Sequence, residues 1–269
     1  MKANAPLKLM YLNPVGTDAY DAVFAEMARS YKLPGTEVHI TCLADPGGSF
    51  THIEYRSYET IVSRGIIQAT RQAAREGFDA LAIGCFYDTA LHDAREVSGE
   101  MIVTAPCLAS CEIAASLANR FGIIVGRRKW VNQMNAVARE HGYGERLSGF
   151  YHVELGVNDF QADHAETERR LVAAGRKAVE EDYAEALILG CTLEIGFYKE
   201  VEKAVGVPVI DPSIAAMKRA EYAANLKRQC GWVPSRMWSC EAPPEEEIAR
   251  FGGFDNGDAF AQRLVVEAE

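Results

Sequence analysis

Two short stretches of this 269-residue chain end alike and could supply the two halves of one reaction. Ala80-Leu-Ala-Ile-Gly-Cys85 and Ala186-Leu-Ile-Leu-Gly-Cys191 each run apolar for four residues, stop at Gly-Cys and turn polar. A cysteine thiol has a pKa near 8.5, and only its thiolate is a strong base or nucleophile. Two thiols facing one carbon can hold a single proton between them. The thiolate takes a proton from one face and the thiol returns one to the other, which inverts that carbon. The carbanion formed on the way is an enolate, so the carbon needs a neighbouring carbonyl and donors aimed at its oxygen. Thr192 and the amides after each Cys are candidates for those donors. A Cys ending a buried strand is commonly just a small apolar residue. The matched context of two such sites, 191 − 85 = 106 positions apart, favours chemistry.

The elements that must position these thiols follow from the apolar pattern. Residues 7–12 read as a strand and end at Asn13-Pro14-Val15-Gly16-Thr17, with Thr17 or Asp18 as the N-cap of a helix to 31. A strand is expected over 37–42, a glycine-rich loop over 45–51, a helix over 58–76, and a strand over 78–84 that ends at Cys85. A short helix (89–96), a strand (101–104) and a helix (111–120) follow. The pattern then restarts: strand 122–126, helix 130–141, strand 147–153, helix 164–180, strand 186–190 ending at Cys191, helix 194–205, strand 207–210 and helix 214–226. Strands alternating with helices predict parallel sheets with right-handed crossovers. The expected fold is α/β. It has two pseudo-symmetric lobes, each a short parallel sheet flanked by helices, with the active site in the cleft between them. The expected lobes are 1–107 plus about 211–269, and 108–210. The tail 230–269, with Trp232, Trp238 and Pro243-Pro244, differs in composition and reads as an extension covering one lobe or as an oligomer contact.

Composition narrows the partners. A net charge of −10 argues against nucleic acid and anionic membranes. No leader is expected at residues 1–6, and no apolar run approaches the roughly 20 residues of a spanning helix. Seven cysteines in such a chain read as reduced thiols of a cytoplasmic protein. Cys107-x3-Cys111 has a metal-ligand spacing, but no second pair follows, so no metal is expected.

The residues Asn13-Pro14, Gly84-Cys85-Phe86 with Asp88, Ala94-Arg95-Glu96 and Gly190-Cys191-Thr192 together resemble the Asp/Glu/hydantoin racemase superfamily, and within it the hydantoin and allantoin racemases. The resemblance spans about 7–225. It implies cofactor-independent racemisation or epimerisation of an amino-acid derivative, with Cys85 and Cys191 as acid and base and no cofactor. It also implies Asn13 and the 53–54 segment, including Glu54, as substrate contacts. His52 beside the glycine loop, Phe86, Tyr87 and Thr192 complete the expected substrate-binding set. Tyr87-Asp88-Thr89-Ala90 stands where the family commonly has Gly-Asp-Pro-Gly, so substrate choice is the open part. Related members are decarboxylases and a cis–trans isomerase, which are the alternatives, along with a non-catalytic binding protein. An arylmalonate-type decarboxylase keeps only one of the paired thiols. A small-molecule substrate and a homo-oligomer are the expected partners.

Overall fold

The computed structural model describes residues 5–254 and 257–269. The chain divides into two compact units. One takes residues up to Gly84, Thr89–Thr104 and Met217 onward; the other takes Cys85–Asp88 and Ala105–Ala216.

The first unit begins with β1 (Leu7–Asn13), α1 (Asp21–Tyr31), β2 (Thr36–Cys42), α2 (Arg56–Arg75), β3 (Ala80–Ile83), α3 (Leu91–Glu96) and β4 (Ile102–Thr104). The second unit runs through α4 (Pro106–Leu117), β5 (Phe121–Val125), α5 (Val131–Glu140), β6 (Leu147–His152), α6 (His164–Glu180), β7 (Ala186–Leu189), α7 (Tyr198–Val205) and β8 (Val209–Ile210). The helix α8 (Pro212–Cys230) leads to α9 (Glu245–Phe251) and β9 (Leu264–Val266), which return to the first unit.

The expected α/β class with two short parallel sheets holds, and the two sheets share a strand order. The first is β4-β3-β1-β2-β9 and the second is β6-β5-β7-β8. In each, the unit's first strand lies between its second and third, and the fourth lies outside the third. All the pairings among β1–β4 and among β5–β8 are parallel. β3, β5 and β7 are buried along their whole length, as strands covered on both faces must be, which explains their unbroken apolar sequences.

Three differences from the sequence expectation matter for the site. β9 joins β2 antiparallel, so the first sheet is mixed at one edge. The tail is therefore an extension of this sheet. Arg71 of α2, buried, anchors it with a two-pronged pair to Glu245 (3.0 and 2.9 Å). The first helix starts at Asp21 with Tyr20 before it; Thr17 instead accepts the Ala19 N–H at 3.3 Å in the preceding turn. And α4 opens at Pro106, five residues before the expected start, with proline in the first turn where its missing N–H costs nothing.

Candidate active site

The glycine of each Gly-Cys turn is held by the same bond to the neighbouring strand. The Gly84 N–H donates to the Leu12 carbonyl at 2.7 Å, and the Gly190 N–H donates to the Ile124 carbonyl at 2.7 Å. Leu12 and Ile124 lie near the ends of β1 and β5, the strands next to β3 and β7. A β-carbon on Gly84 would come within 3.0 Å of that carbonyl, and one on Gly190 within 2.5 Å. Glycine is thus required by close backbone approach at the point where the strand must deliver a thiol to the carboxyl edge of its sheet.

The turn after β3 belongs to the second unit. Cys85 is half-buried, and Phe86, Tyr87 and Asp88 are buried. Asp88 closes the turn, its N–H donating to the Cys85 carbonyl at 2.9 Å. Its carboxylate caps α4, accepting from the Cys107 and Leu108 N–H groups at 2.8 and 2.9 Å, and meets Nε2 of His141 at 2.8 Å. Burial pushes the Asp88 carboxyl up; His141 and the two N–H groups pull it back down without cancelling the rise. Asp88 and Ala90 both sit at positive φ, 51° and 55°. Those conformations break the chain between Cys85 and α3, so no helix starts directly behind this thiol. Thr89, buried, donates from its hydroxyl to Glu59 at 3.1 Å.

Cys191, buried, begins a single 3-10 turn, Thr192–Glu194, ahead of α7. The Glu194 side chain folds back so that Oε2 accepts the Cys191 N–H at 3.1 Å. Glu194 is fully buried, and burial followed by the nearby Asp211 charge holds its carboxyl well above the usual range. Asp211 accepts from Gly196 (3.2 Å), Ser213 (2.9 Å) and Ile214 (3.2 Å), and the Ser213 hydroxyl donates to the Thr192 carbonyl at 3.1 Å. The Asp211-x-Ser213 pair therefore caps α8 and braces the Cys191 turn together. Burial moves the Asp211 carboxyl up to about 6. Cys85, Phe86, Tyr87, Cys191 and Thr192 thus all fall in the second unit.

The remaining expected residues lie in the first unit. Asn13 ends β1, buried, opposite Cys42 in the β1–β2 register. Glu54 is buried, and its N–H reaches Nδ1 of His52 at 3.4 Å. The His52 ring packs with Tyr55 and Tyr58, at centroid distances of 6.2 and 5.8 Å. Cys42 is no rival nucleophile: burial, then the Asp21 and Asp18 charges, push its thiol up to about 11. Cys107 and Cys111 are buried in α4. Among the described residues no group of three or more His, Cys, Asp or Glu could hold a metal ion, and no helix is long and apolar enough to cross a membrane. His92, Arg128 and Lys129 are exposed.

The sequence did not single out Asp21 or Glu194. An acid in the first turn of a helix, or three residues after a strand end, reads as an ordinary capping charge. The usable signal for Glu194 was its three-residue spacing from Cys191, the capping-box interval.

The sequence matches the family described as Asp/Glu/Hydantoin racemase over residues 9–220. The hydantoin racemase of Pseudomonas sp. (strain NS671) is 30% identical over 250 residues, covering 93% of this chain and 96% of that one. Among solved structures, an allantoin racemase from Klebsiella pneumoniae aligns with a TM-score of 0.81 at 23% identity, covering 89% of this chain and 94% of that one. An allantoin racemase from Pseudomonas fluorescens aligns with a TM-score of 0.77 at 20% identity, covering 88% and 98%. At those identities the two structures show a shared fold.

Proposed function

The chain belongs to the Asp/Glu/hydantoin racemase family, a family of isomerases, and from that premise we propose that it racemises or epimerises a hydantoin-like amino-acid derivative by proton transfer between Cys85 and Cys191. What carries the reading is the repeated turn: the same Gly-Cys, held by the same N–H to carbonyl bond, after the third strand of two sheets with one strand order. In the proposed reaction one cysteine, as thiolate, removes the proton from the carbon beside the substrate carbonyl and becomes a thiol. The electron pair moves onto the carbonyl oxygen as an enolate. The other cysteine, as thiol, delivers its proton to the opposite face as the carbonyl re-forms, and is left as thiolate. The substrate's own carbonyl supplies the acidity, so the chemistry asks for no cofactor. The Thr192 amide and hydroxyl are the proposed enolate donors. Asn13, Phe86, Tyr87, His52 and Glu54 are the proposed substrate contacts.

The test is proton NMR in deuterium oxide with 5-substituted hydantoins, allantoin and acidic amino acids, beside polarimetry. The expected result is loss of one α-proton signal together with loss of optical rotation. Cys85→Ser and Cys191→Ser should each abolish racemisation, while exchange on one face can survive. Full activity in both variants would remove the two-thiol mechanism. Release of carbon dioxide, or a change of double-bond geometry, would point instead to a decarboxylase or cis–trans isomerase; the presence of both thiols favours racemisation.

A further inference from the structure

The chain leaves one compact unit for the other directly behind Cys85. Cys85–Asp88 belong to the second unit, and Thr89–Thr104 to the first. The crossing is pinned at both of its residues. Asp88 is bound to α4 and to His141 within the second unit. Thr89 is bound to α2 within the first, its hydroxyl donating to Oε2 of Glu59 at 3.1 Å. Both residues are buried. The backbone on either side of Thr89 is left-handed, with φ 51° at Asp88 and 55° at Ala90. An L residue is strained there, and such a conformation persists only where the surroundings over-determine it. The Asp88 contacts do so on one side of the crossing, and the Thr89 hydroxyl does so on the other. Threonine suits that task, because its branched β-carbon restricts the side chain to few rotamers.

Glu59 sits where the 52–54 segment enters its helix. It lies in the first turn of α2, and its N–H donates to the carbonyl of Tyr55, the residue before that helix, at 3.0 Å. The rings of Tyr55 and Tyr58 pack with His52. The Thr89 hydroxyl therefore reaches the helical turn that follows His52 and Glu54, two of the proposed substrate contacts.

We propose that Thr89 is a positioning residue for Cys85: its bond to Glu59 fixes the exit of the turn that carries the thiol, and so the direction in which that thiol meets the substrate carbon. This rests on the racemase reading above in taking Cys85 as a proton-transfer thiol. Thr89 acts through the backbone. The N–H that closes the turn on the Cys85 carbonyl, at 2.9 Å, belongs to Asp88, to which Thr89 is joined. Releasing Thr89 lets the left-handed Asp88 relax and that bond open. Transfer of a proton to carbon depends steeply on aim, and a displacement of about 1 Å can cost about 100-fold in rate. With the Asp88 contacts still in place the loss is smaller.

The experiment uses Thr89→Val, which keeps the branched shape without the hydroxyl, and Thr89→Ser, which keeps the hydroxyl. For a 5-substituted hydantoin, Thr89→Val should lower kcat about 10-fold with KM within about threefold, and Thr89→Ser should keep both within about threefold of wild type. In a Glu59→Ala background the valine substitution should cost less than about twofold more, because the bond is already gone. Iodoacetamide labelling, read at each cysteine by mass spectrometry, needs no substrate. Thr89→Val should speed labelling of Cys85 about threefold or more and leave that of Cys191 within about twofold, whereas a general loosening of the fold would speed both. Unchanged labelling of Cys85, equal changes at the two cysteines, a serine variant as slow as the valine one, or additive losses in the double variant would each overturn the proposal. Failure of the racemase reading shows separately, as no turnover of hydantoins by wild type or full turnover by Cys85→Ser, and the labelling then decides the placement of the thiol by itself.

Discussion

Nε2 of His141 lies 2.8 Å from Oδ2 of Asp88, and both side chains are almost wholly buried. The contact ties the end of α5 to the turn that carries Cys85, because Asp88 also holds the Cys85 carbonyl and the first N–H groups of α4. A buried carboxylate that loses a partner is left with an uncompensated charge. His141→Ala should therefore destabilise the protein by about 2–3 kcal/mol, toward the low side because two N–H bonds remain. Urea titrations of wild type and variant check the loss; a deficit under about 0.5 kcal/mol would mean that the two N–H groups alone satisfy the carboxylate.

Gly84 and Gly190 offer a paired comparison. A methyl group at 190 would sit 2.5 Å from a backbone oxygen, and one at 84 would sit 3.0 Å from its counterpart. Backbone cannot swing aside as a side-chain tip can. Gly190→Ala should cost upwards of about 2 kcal/mol and most of the activity, with Gly84→Ala milder on both counts. Thermal melts and kcat on the same preparations check the order; a reversed order would deny the equivalence of the two turns.

Ala90 occupies the left-handed region at φ 55°, where an L side chain costs about 1–2 kcal/mol. Glycine relieves that strain and returns part of it as unfolded-chain entropy. Ala90→Gly should stabilise by about 0.5–1 kcal/mol, against the usual direction of such a change. A fall in the denaturation midpoint would show that the Ala90 methyl packs usefully enough to outweigh its strain.

The Glu194 carboxyl, held well above the usual range by burial, accepts the Cys191 N–H. Glu194→Gln keeps the shape and the acceptor oxygen and should keep kcat within about threefold. Glu194→Ala opens a cavity and strands a buried N–H, and should lose about 2 kcal/mol or more of stability along with activity. Alkylation of Cys191 in a Cys85→Ser background should become faster and less selective in the alanine variant. Unchanged labelling there would remove Glu194 from any part in presenting the thiol.

Much of this architecture is legible in the sequence, for a physical reason. Buried parallel strands write themselves as short apolar runs, and the Gly-Cys ends mark where backbone crowding forbids a side chain. Residues 164–180 show helical periodicity because α6 has one wet face, and its bounds are met at both ends. The start of α4 is hidden in the sequence because Pro106, Cys107, Ala109, Ser110 and Cys111 are all buried, which erases the polar–apolar alternation that reveals a helix. β9 is a three-residue strand whose partner lies more than two hundred positions earlier, beyond any local pattern. The same holds for the buried acids: Asp88, Glu194 and Asp211 act through backbone groups that only the folded chain brings near them.

The antiparallel strand at the edge of the first sheet also has a meaning in time. β2 is made early and its neighbour β9 last, with 264 − 42 = 222 positions separating them. At roughly 5–20 residues per second, translation leaves that edge uncovered for about 10–45 s. Meanwhile every element of the second unit has been synthesised. The first unit, though it starts the chain, must be the last to close, and an uncovered strand edge is a template for pairing with other chains. Loss of the final few residues therefore threatens solubility during synthesis, at a distance in sequence from both thiols.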